Sequence, residues 1–364
     1  MTATMSPSRS RSIATKLSQW FDAHQRPLPF RQRPEPYRIW VSEVMLQQTQ
    51  MSTVLPYFER FIQRFPRLES LAQADDDELY AAWQGLGYYS RARNLKRAAQ
   101  LVCERHQGKL PRRIDQLRAL PGIGPYTAGA IASLAFGLPE PVVDGNVERV
   151  LARLQALGGN PKKEPTRTMI WALARQLANL GDPRLINQGL MELGALVCTP
   201  REPSCTSCPL VRSCRAKELG ATERFPESAP RQSPEVLRGA ILLLWQRGRI
   251  GLEKQSPKAR HWAGLYALPN AVCQGKERPE AAARRVIADL GLPNLELHQL
   301  GTEQYSITRF RFRAEIWTAE LGAAKPKTSR KLLWQKPGDS TSVALPAPHR
   351  RVALRYAREK QERA

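Results

Sequence analysis

Apolar residues recur every three or four positions from about Ser12 to Thr222, which is the spacing of helices with one buried face. Strand-like alternation is scarce in this stretch. Two prolines, Pro36 and Pro56, mark predicted helix starts, because proline is tolerated in the first turn of a helix. We therefore predict an all-α domain over residues 1–222.

The pattern changes after a segment rich in proline and serine, residues 223–236, which we interpret as a linker. Beyond it, phenylalanine and arginine alternate within residues 304–317, which predicts a strand. Residues 279–290 predict a helix. The second domain is therefore expected to be α+β over residues 237–346, followed by a basic tail over 347–364.

The chain of 364 residues carries 56 Lys and Arg against 33 Asp and Glu, a formal net charge of +23. This charge favours nucleic acid as a partner over the alternative of a membrane-surface or simply basic protein. No apolar run reaches the roughly 18 residues that a membrane span needs. The Ser- and Arg-rich first residues lack the apolar core of a secretory signal and fit a disordered terminus or, alternatively, a transit peptide.

Four of the six cysteines lie close together in sequence: Cys198, Cys205, Cys208 and Cys214. Without a secretory signal, a metal site is favoured over disulfide bonds. Four thiolates at this spacing suit one compact metal centre, and on chemistry alone zinc and an iron–sulfur cluster are both open.

Three further motifs contain candidate functional residues. Gly122 and Gly124 lie in a Leu-Pro-Gly-Ile-Gly turn whose exposed backbone N–H groups suit a phosphate, with a simple helix–helix turn as the alternative. Asp144 follows an apolar run, where it would cap a helix. Glu43 shares a helix face with Ile39 among apolar residues, which would raise the pKa of its carboxyl; a solvated surface glutamate is the alternative.

Together these motifs resemble the MutY-type adenine DNA glycosylases of the endonuclease III, or helix-hairpin-helix, superfamily. The resemblance covers about residues 26–214 and continues more weakly to about residue 317. It rests on the cysteine spacing, the glycine turn, the Val-Asp-Gly-Asn-Val segment around Asp144 and the Pro-Tyr-Arg-Ile-Trp-Val-Ser-Glu segment ending at Glu43. It implies a multidomain fold: an all-α helix-hairpin-helix glycosylase domain with a [4Fe-4S] loop over residues 198–214, and an α+β Nudix-like, or MutT-like, C-terminal domain.

The resemblance implies that the enzyme hydrolyses the N-glycosidic bond of adenine opposite 8-oxoguanine or guanine in double-stranded DNA, after flipping the base out. Glu43 would protonate adenine and Asp144 would stabilise the sugar cation, with Tyr126 and Asn146 in the same catalytic set. Tyr126 stands where the bifunctional branch has a lysine, so strong strand-cleaving activity is not expected. A monomer, associated with DNA in a bacterial cytoplasm, is expected.

The resemblance also implies an adenine pocket and DNA contacts. The adenine-pocket residues would be Arg26, Leu28, Arg31 and Gln188. The DNA-contact residues would be Gln48, which enters the minor groove, Tyr88, which wedges into the base stack, and the phosphate-binding Gly122 and Gly124. Each wedge residue has ordinary packing as its alternative.

Lesion recognition is expected at Ile307, Thr308 and Arg309, in place of the Phe-Ser-His turn usual in this family. Phe310 anchors this alignment, and a slip to Tyr305–Ile307 is the alternative. In the Nudix hydrolase signature Arg285 and Ala288 replace two acidic residues, so the domain is expected to bind rather than to hydrolyse nucleotides.

Two other functions are alternatives. A thymine-specific glycosylase on the same scaffold is disfavoured by Tyr126 and by the segment around Glu43. An inactive DNA-binding scaffold is disfavoured because Glu43 and Asp144 are both present.

Overall fold

The computed structural model describes residues 4–227, 233–259, 261–292, 294–322, 332–337 and 343–362. The chain divides into two compact units. The first comprises Met1–Gln73 and Asn94–Pro230, and the second comprises Ala74–Arg93 and Arg231–Ala364. In the described part of the chain, no helix combines the length and apolar character needed to cross a membrane.

The helical region contains α1 Pro7–His24, α2 Pro29–Gln32, α3 Pro36–Leu46, α4 Met51–Arg64, α5 Leu68–Gln73, α6 Asp76–Trp83, α7 Ser90–His106, α8 Ile114–Arg118, α9 Pro125–Ala130, α10 Gly145–Gln155, α11 Thr166–Ala178, α12 Pro183–Leu196 and α13 Arg215–Glu218. A π-helical turn, Ile131–Ala135, continues α9. This architecture confirms the predicted helical domain.

The two predicted helix starts had different outcomes. Helix α3 begins at Pro36, as predicted. The prediction for Pro56 is wrong, because α4 begins at Met51 and Pro56 lies inside it. Val54 precedes the proline and is fully buried, so packing extends the apolar helix face beyond it. Pro56 itself is exposed, where water can hydrogen-bond the carbonyl left unpaired by the missing N–H.

Two apolar clusters of the first unit support its helices. The larger one joins α1, α10, α11 and α12 through fully buried side chains that include Leu17, Leu151, Leu173 and Leu190. A smaller cluster contains Ile39, Ala130, Leu134 and Val142, with Tyr126 packed against it. Because Ile39 belongs to α3 and Ala130 to α9, this cluster holds together the two helices that carry Glu43 and Tyr126.

The second unit contains a mixed sheet with the strand order β3-β2-β1-β6-β5, in which β4 also pairs with β1 and β7 with β2. The strands are β1 Glu235–Gln246, β2 Arg249–Lys254, β3 Tyr266–Ala267, β4 Asn270–Val272, β5 His298–Ile307, β6 Phe310–Glu320 and β7 Leu332–Gln335; the helices are α14 Pro279–Asp289 and α15 Ala347–Glu362. Strands β1 and β6 are parallel, and the other described pairs are antiparallel. The predicted α+β class is confirmed.

Local predictions for this unit held in part. The predicted helix 279–290 is α14. The strand predicted within 304–317 is a hairpin of β5 and β6. The segment 347–364, predicted to be a basic tail, contains α15, whose Val352 and Tyr356 are buried in the core. The apolar spacing on α15 therefore outweighs its positive charge, and this helix packs on the sheet.

Candidate active site

Glu43 lies on the buried face of α3 with only 3% of its surface exposed. Burial raises the pKa of its carboxyl from 4.5 to about 7, although the hydroxyl of Tyr126 donates a hydrogen bond to Oε2 at 2.5 Å and acts in the opposite direction. The charge of Asp144 raises this pKa further, and the charge of Arg31 lowers it. The carboxyl group is therefore partly protonated near neutral pH, which a general acid requires.

Tyr126 keeps its own proton. Burial raises the pKa of the phenol well above 10, and the carboxylates of Glu43 and Asp144 act in the same direction. The hydroxyl therefore donates to Glu43 in both protonation states of that carboxyl. Tyr126 lies in the first turn of α9, directly after the glycine turn, so the turn that suits a phosphate also fixes the phenol.

Asp144 combines the structural and the catalytic role considered for it. It is the N-cap of α10, and its Oδ1 accepts a hydrogen bond from the backbone N–H of Val147 at 2.7 Å. Its Oδ2 accepts a hydrogen bond from Nδ2 of Asn146 at 3.0 Å. Burial raises the pKa of Asp144, and these two hydrogen bonds oppose the shift. They also fix the direction in which the carboxylate points.

Asn146 connects Asp144 to the cysteine loop through Arg149. Oδ1 of Asn146 accepts a hydrogen bond from Nη2 of Arg149 at 2.8 Å, which fixes the orientation of the amide. Nε of Arg149 donates to the backbone carbonyl of Cys198 at 2.7 Å. The sequence analysis did not identify Arg149, because its contacts are 49 and three residues away along the chain.

Two predicted adenine-pocket residues, Arg26 and Arg31, converge on a buried acid that the sequence analysis missed, Glu192. Arg26 donates to both carboxylate oxygens at 2.5 and 2.9 Å, and Arg31 donates to Oε2 at 2.8 Å. Burial raises the pKa of Glu192, but the hydrogen bonds from the arginines outweigh it and the pKa falls to about 2. A lone acid four residues after Gln188 on an apolar helix is the signal that could have identified Glu192.

The other two predicted pocket residues lie in different surroundings. Leu28 is buried and forms the N-cap of α2. Gln188 is half-buried, and its side-chain amide donates to the backbone carbonyl of Arg184 at 3.2 Å. Gln188 therefore has no printed hydrogen bond to the two arginines, and its place in the pocket stays a prediction.

The predicted base-stack residues have unusual backbone conformations. Gln48 is exposed with φ 58°, and Tyr88 is 45% exposed with φ 47°. Positive φ values are uncommon for residues with a side chain and cluster at functional sites. The two residues belong to different units, Gln48 to the first and Tyr88 to the second.

The glycine turn requires its two glycines for different reasons. Gly122 has φ 78°, and a Cβ atom there would lie 2.8 Å from Cβ of Asn94. Gly124 begins α9, and a Cβ atom there would meet no protein atom within 4 Å. The open space at Gly124 leaves room for a ligand to approach the backbone N–H groups at the start of α9.

The four predicted cysteine ligands line one cavity, and none of them forms a disulfide bond. Arg153 closes this cavity: its Nη1 donates to Sγ of Cys198 at 3.3 Å and to the carbonyl of Thr199 at 2.6 Å. Among the described residues, no three His, Cys, Asp or Glu side chains are placed to hold one metal ion. Zinc requires its four sulfurs at about 2.3 Å from a single point, whereas an iron–sulfur cluster is larger and takes four thiolates, so this donor set fits a cluster.

The predicted lesion-reading residues form the turn between β5 and β6. Ile307 pairs with Phe310, and Thr308 lies exposed in the turn with φ 52°. The slipped alternative would place the motif inside β5, where Tyr305 stacks on Phe312 with ring centroids 5.0 Å apart. The turn geometry therefore favours the alignment on Ile307, Thr308 and Arg309.

Two family models match the chain. Residues 41–176 match the HhH-GPD superfamily base excision DNA repair protein, and residues 240–355 match the NUDIX domain. The helical fold, the glycine turn before α9 and the paired carboxyl groups thus belong to a base excision DNA repair protein of the HhH-GPD superfamily, followed by a NUDIX domain.

Curated relatives define the family more narrowly. The adenine DNA glycosylase of Homo sapiens is 34% identical over 371 residues, which cover 86% of this chain and 68% of the human protein. The adenine DNA glycosylase of Buchnera aphidicola subsp. Schizaphis graminum (strain Sg) is 34% identical over 252 residues, which cover 69% of this chain and 72% of that protein. The chain belongs to the adenine DNA glycosylase family.

Solved structures agree on the fold of the helical part. A thermostable thymine-DNA glycosylase is 28% identical with a TM-score of 0.54, covering 58% of this chain and 98% of that one. Endonuclease III in a trapped covalent intermediate with DNA is 23% identical with a TM-score of 0.50, covering 60% of this chain and 99% of that one. The second likeness supports a common fold alone.

Proposed function

We propose that this protein removes adenine from DNA when the base is mispaired with 8-oxoguanine or guanine, by hydrolysis of the N-glycosidic bond. One observation carries the proposal: a carboxyl group with a pKa of about 7, Glu43, lies within electrostatic reach of a second, helix-capping carboxyl group, Asp144. Two carboxyl groups in different environments can divide acid and electrostatic roles in glycosidic bond cleavage.

The reaction begins after adenine has been flipped out of the duplex. Protonated Glu43 transfers its proton to a ring nitrogen of adenine, which makes the base a better leaving group. The bond between the sugar C1′ and the base breaks, and the ionised carboxylate of Asp144 stabilises the resulting sugar cation. A water molecule then bonds to C1′ and releases its proton to Glu43, so the products are free adenine and an abasic site.

Tyr126 and Asn146 are positioning residues in this proposal. Tyr126 holds Glu43 by the hydrogen bond to Oε2, and Asn146 holds Asp144 by the hydrogen bond to Oδ2. The phenol of Tyr126 has no amine with which to form a Schiff base, which supports hydrolysis by water rather than strand cleavage through a covalent intermediate.

The buried acid Glu192 extends the proposed adenine pocket. Arg26 and Arg31 already satisfy its carboxylate oxygens, so the three residues form a rigid polar group. Such a group can present N–H donors of the guanidinium groups in fixed directions to a planar base with several ring nitrogens.

We propose that Cys198, Cys205, Cys208 and Cys214 hold a [4Fe-4S] cluster. When bound, the cluster would cross-link the loop through its four thiolates. Arg153 supports the same loop independently, because it donates hydrogen bonds to Sγ of Cys198 and to two backbone carbonyls of the loop, those of Thr199 and Pro200. The relatives and the cavity lined by four thiols support this proposal.

We also propose that the second unit reads the lesion at Ile307, Thr308 and Arg309, and that Gln48 and Tyr88 replace the stacking lost on base flipping. Double-stranded DNA is the partner that the net charge of +23 favours, and a monomer in a bacterial cytoplasm is the accompanying expectation. The exposed turn and the positive φ values of Gln48, Tyr88 and Thr308 support these assignments.

One experiment separates the proposal from its alternatives. The protein is incubated with duplexes that carry adenine, thymine or thymine glycol opposite guanine or 8-oxoguanine, and alkali is then added to cleave abasic sites. Alkali-dependent cleavage at adenine alone supports the proposal. Cleavage at thymine or thymine glycol, or at no base, contradicts it.

A further inference from the structure

Three arginines on the sheet of the second unit lie together and are exposed. Arg238 is on β1, and Arg311 and Arg313 are on β6. Arg238 lies directly opposite Arg313 in the parallel β1–β6 pair. We call these three residues the arginine patch.

The arginine patch occupies one face of the sheet. Side chains alternate between the two faces of a strand, so Arg238 points to the same face as Ala240, and Arg313 to the same face as Trp317. Ala240 and Trp317 pack in the cluster under α14. The patch therefore lies on the α14 face, beyond the part of the sheet that the helix covers.

The neighbours of the patch on β5 are polar and uncharged. Gln304 pairs with Arg313, and Ser306 pairs with Arg311. Both are exposed. The nearest acid along the same face of β6 is Glu315, which is half-buried. Polar neighbours without bulky apolar anchors suit a hydrated polyanion better than a membrane surface.

Other arginines of this unit have acidic partners. Arg284 contacts Glu280 at 2.8 Å, and Arg351 contacts Glu303 at 2.6 Å. In the described ranges, no ion pair is found for the arginines of the patch. Like charges placed opposite each other destabilise a strand pair, so Arg238 and Arg313 have an unfavourable arrangement that a bound anion would relieve.

We propose that the arginine patch binds backbone phosphates of the DNA strand that is read at the turn formed by Thr308 and Arg309. The turn and the patch are parts of one hairpin, because β6 begins directly after the turn and carries Arg311 and Arg313. These two residues are about 6.7 Å apart along the strand, and each guanidinium group can bind a phosphate with two parallel hydrogen bonds. The direction of the strand rests on the proposed lesion-reading function, whereas phosphate binding by the patch does not.

The test is the salt dependence of binding to an undamaged duplex, which does not require that the protein excise adenine. The variant R238Q/R311Q/R313Q is compared with R247Q/R249Q/R284Q, which removes three charges from the same unit. Arg247 and Arg249 lie at the opposite end of β1, and Arg284 is paired with Glu280. Thermal melting establishes that both variants are folded.

Each phosphate contact contributes about 0.9 to the slope of log K against log salt, so the patch variant should lose up to about 2.7. A loss of about 1 or more, with the slope of the control variant unchanged, supports the proposal. An unchanged slope in the patch variant overturns it, as does an equal loss in both variants. Loss of binding to phosphatidylserine vesicles with an unchanged DNA slope would assign the patch to lipid and would also overturn the proposal.

Discussion

The substitution Tyr126→Phe should move the pH dependence of adenine excision. Tyr126 donates a 2.5 Å hydrogen bond to Oε2 of Glu43 and thereby stabilises the ionised carboxylate. Excision requires the protonated form, so the rate of the parent should fall as the pH rises through about 7, the pKa of Glu43. Removal of the hydroxyl favours the protonated form, so the fall in rate should occur at higher pH.

The size of the shift follows from the kind of hydrogen bond. A hydrogen bond to a charged group contributes about 1.5–3 kcal/mol, and one pKa unit corresponds to about 1.4 kcal/mol. The midpoint of the fall should therefore move upward by about one to two pH units. The apolar cluster around Ile39 and Ala130 accepts a phenyl ring at this position, so the packing of α3 against α9 should persist.

The assay is single-turnover excision on one 8-oxoguanine:adenine duplex between pH 5 and 9. The matched control is Tyr37→Phe, which removes a hydroxyl that donates to the carbonyl of Phe65 at 2.9 Å and makes no printed contact with Glu43. The control should leave the midpoint unchanged. A Tyr126→Phe midpoint within 0.3 pH units of that of the parent, or below it, would refute the reasoning (the threshold is about a quarter of the smallest shift expected from the hydrogen bond).

Three further predictions concern stability, the metal centre and the lesion. Because burial raises the pKa of Glu43 from 4.5 to about 7, the parent loses stability as the pH rises across this range; Glu43→Gln should therefore increase the free energy of unfolding by up to about 3 kcal/mol at pH 8 and not below pH 4.5, and an equal change at both pH values in urea titrations would contradict this. Elemental analysis should find iron, and Cys208→Ser should lose the visible absorbance of thiolate-bound iron; zinc without iron would exclude the cluster. Thr308→Ala should slow excision opposite 8-oxoguanine by less than about tenfold and lower the ratio to the rate opposite guanine, whereas Ser306→Ala should not; an unchanged ratio for Thr308→Ala would remove the role assigned to this turn.

The sequence was most informative where a residue's role depends on its neighbours in the chain. Glu43 stands among apolar residues of one helix, and its burial and raised pKa follow from that pattern. Asp144 caps the helix that begins at the next residue, which is again a local property. Pro36 and the helix 279–290 were predicted for the same reason.

Residues whose roles depend on distant partners were missed. Glu192 is bound by Arg26 and Arg31, which are 166 and 161 residues away, so no local pattern shows that its charge is compensated. Arg153 contacts the cysteine loop 45 residues further along the chain. The wrong start at Pro56 has a related cause, because the burial of Val54 decides where that helix begins and depends on tertiary packing.

The most direct test of the account is single-turnover adenine excision by the parent and by Glu43→Gln on the same 8-oxoguanine:adenine duplex, with binding measured in parallel. The substitution removes the transferable proton and keeps the size of the side chain. The account predicts that Glu43→Gln binds the duplex within a few-fold of the parent and excises adenine at least about 100-fold more slowly. Excision within a few-fold of the parent would contradict the assignment of Glu43 as the general acid.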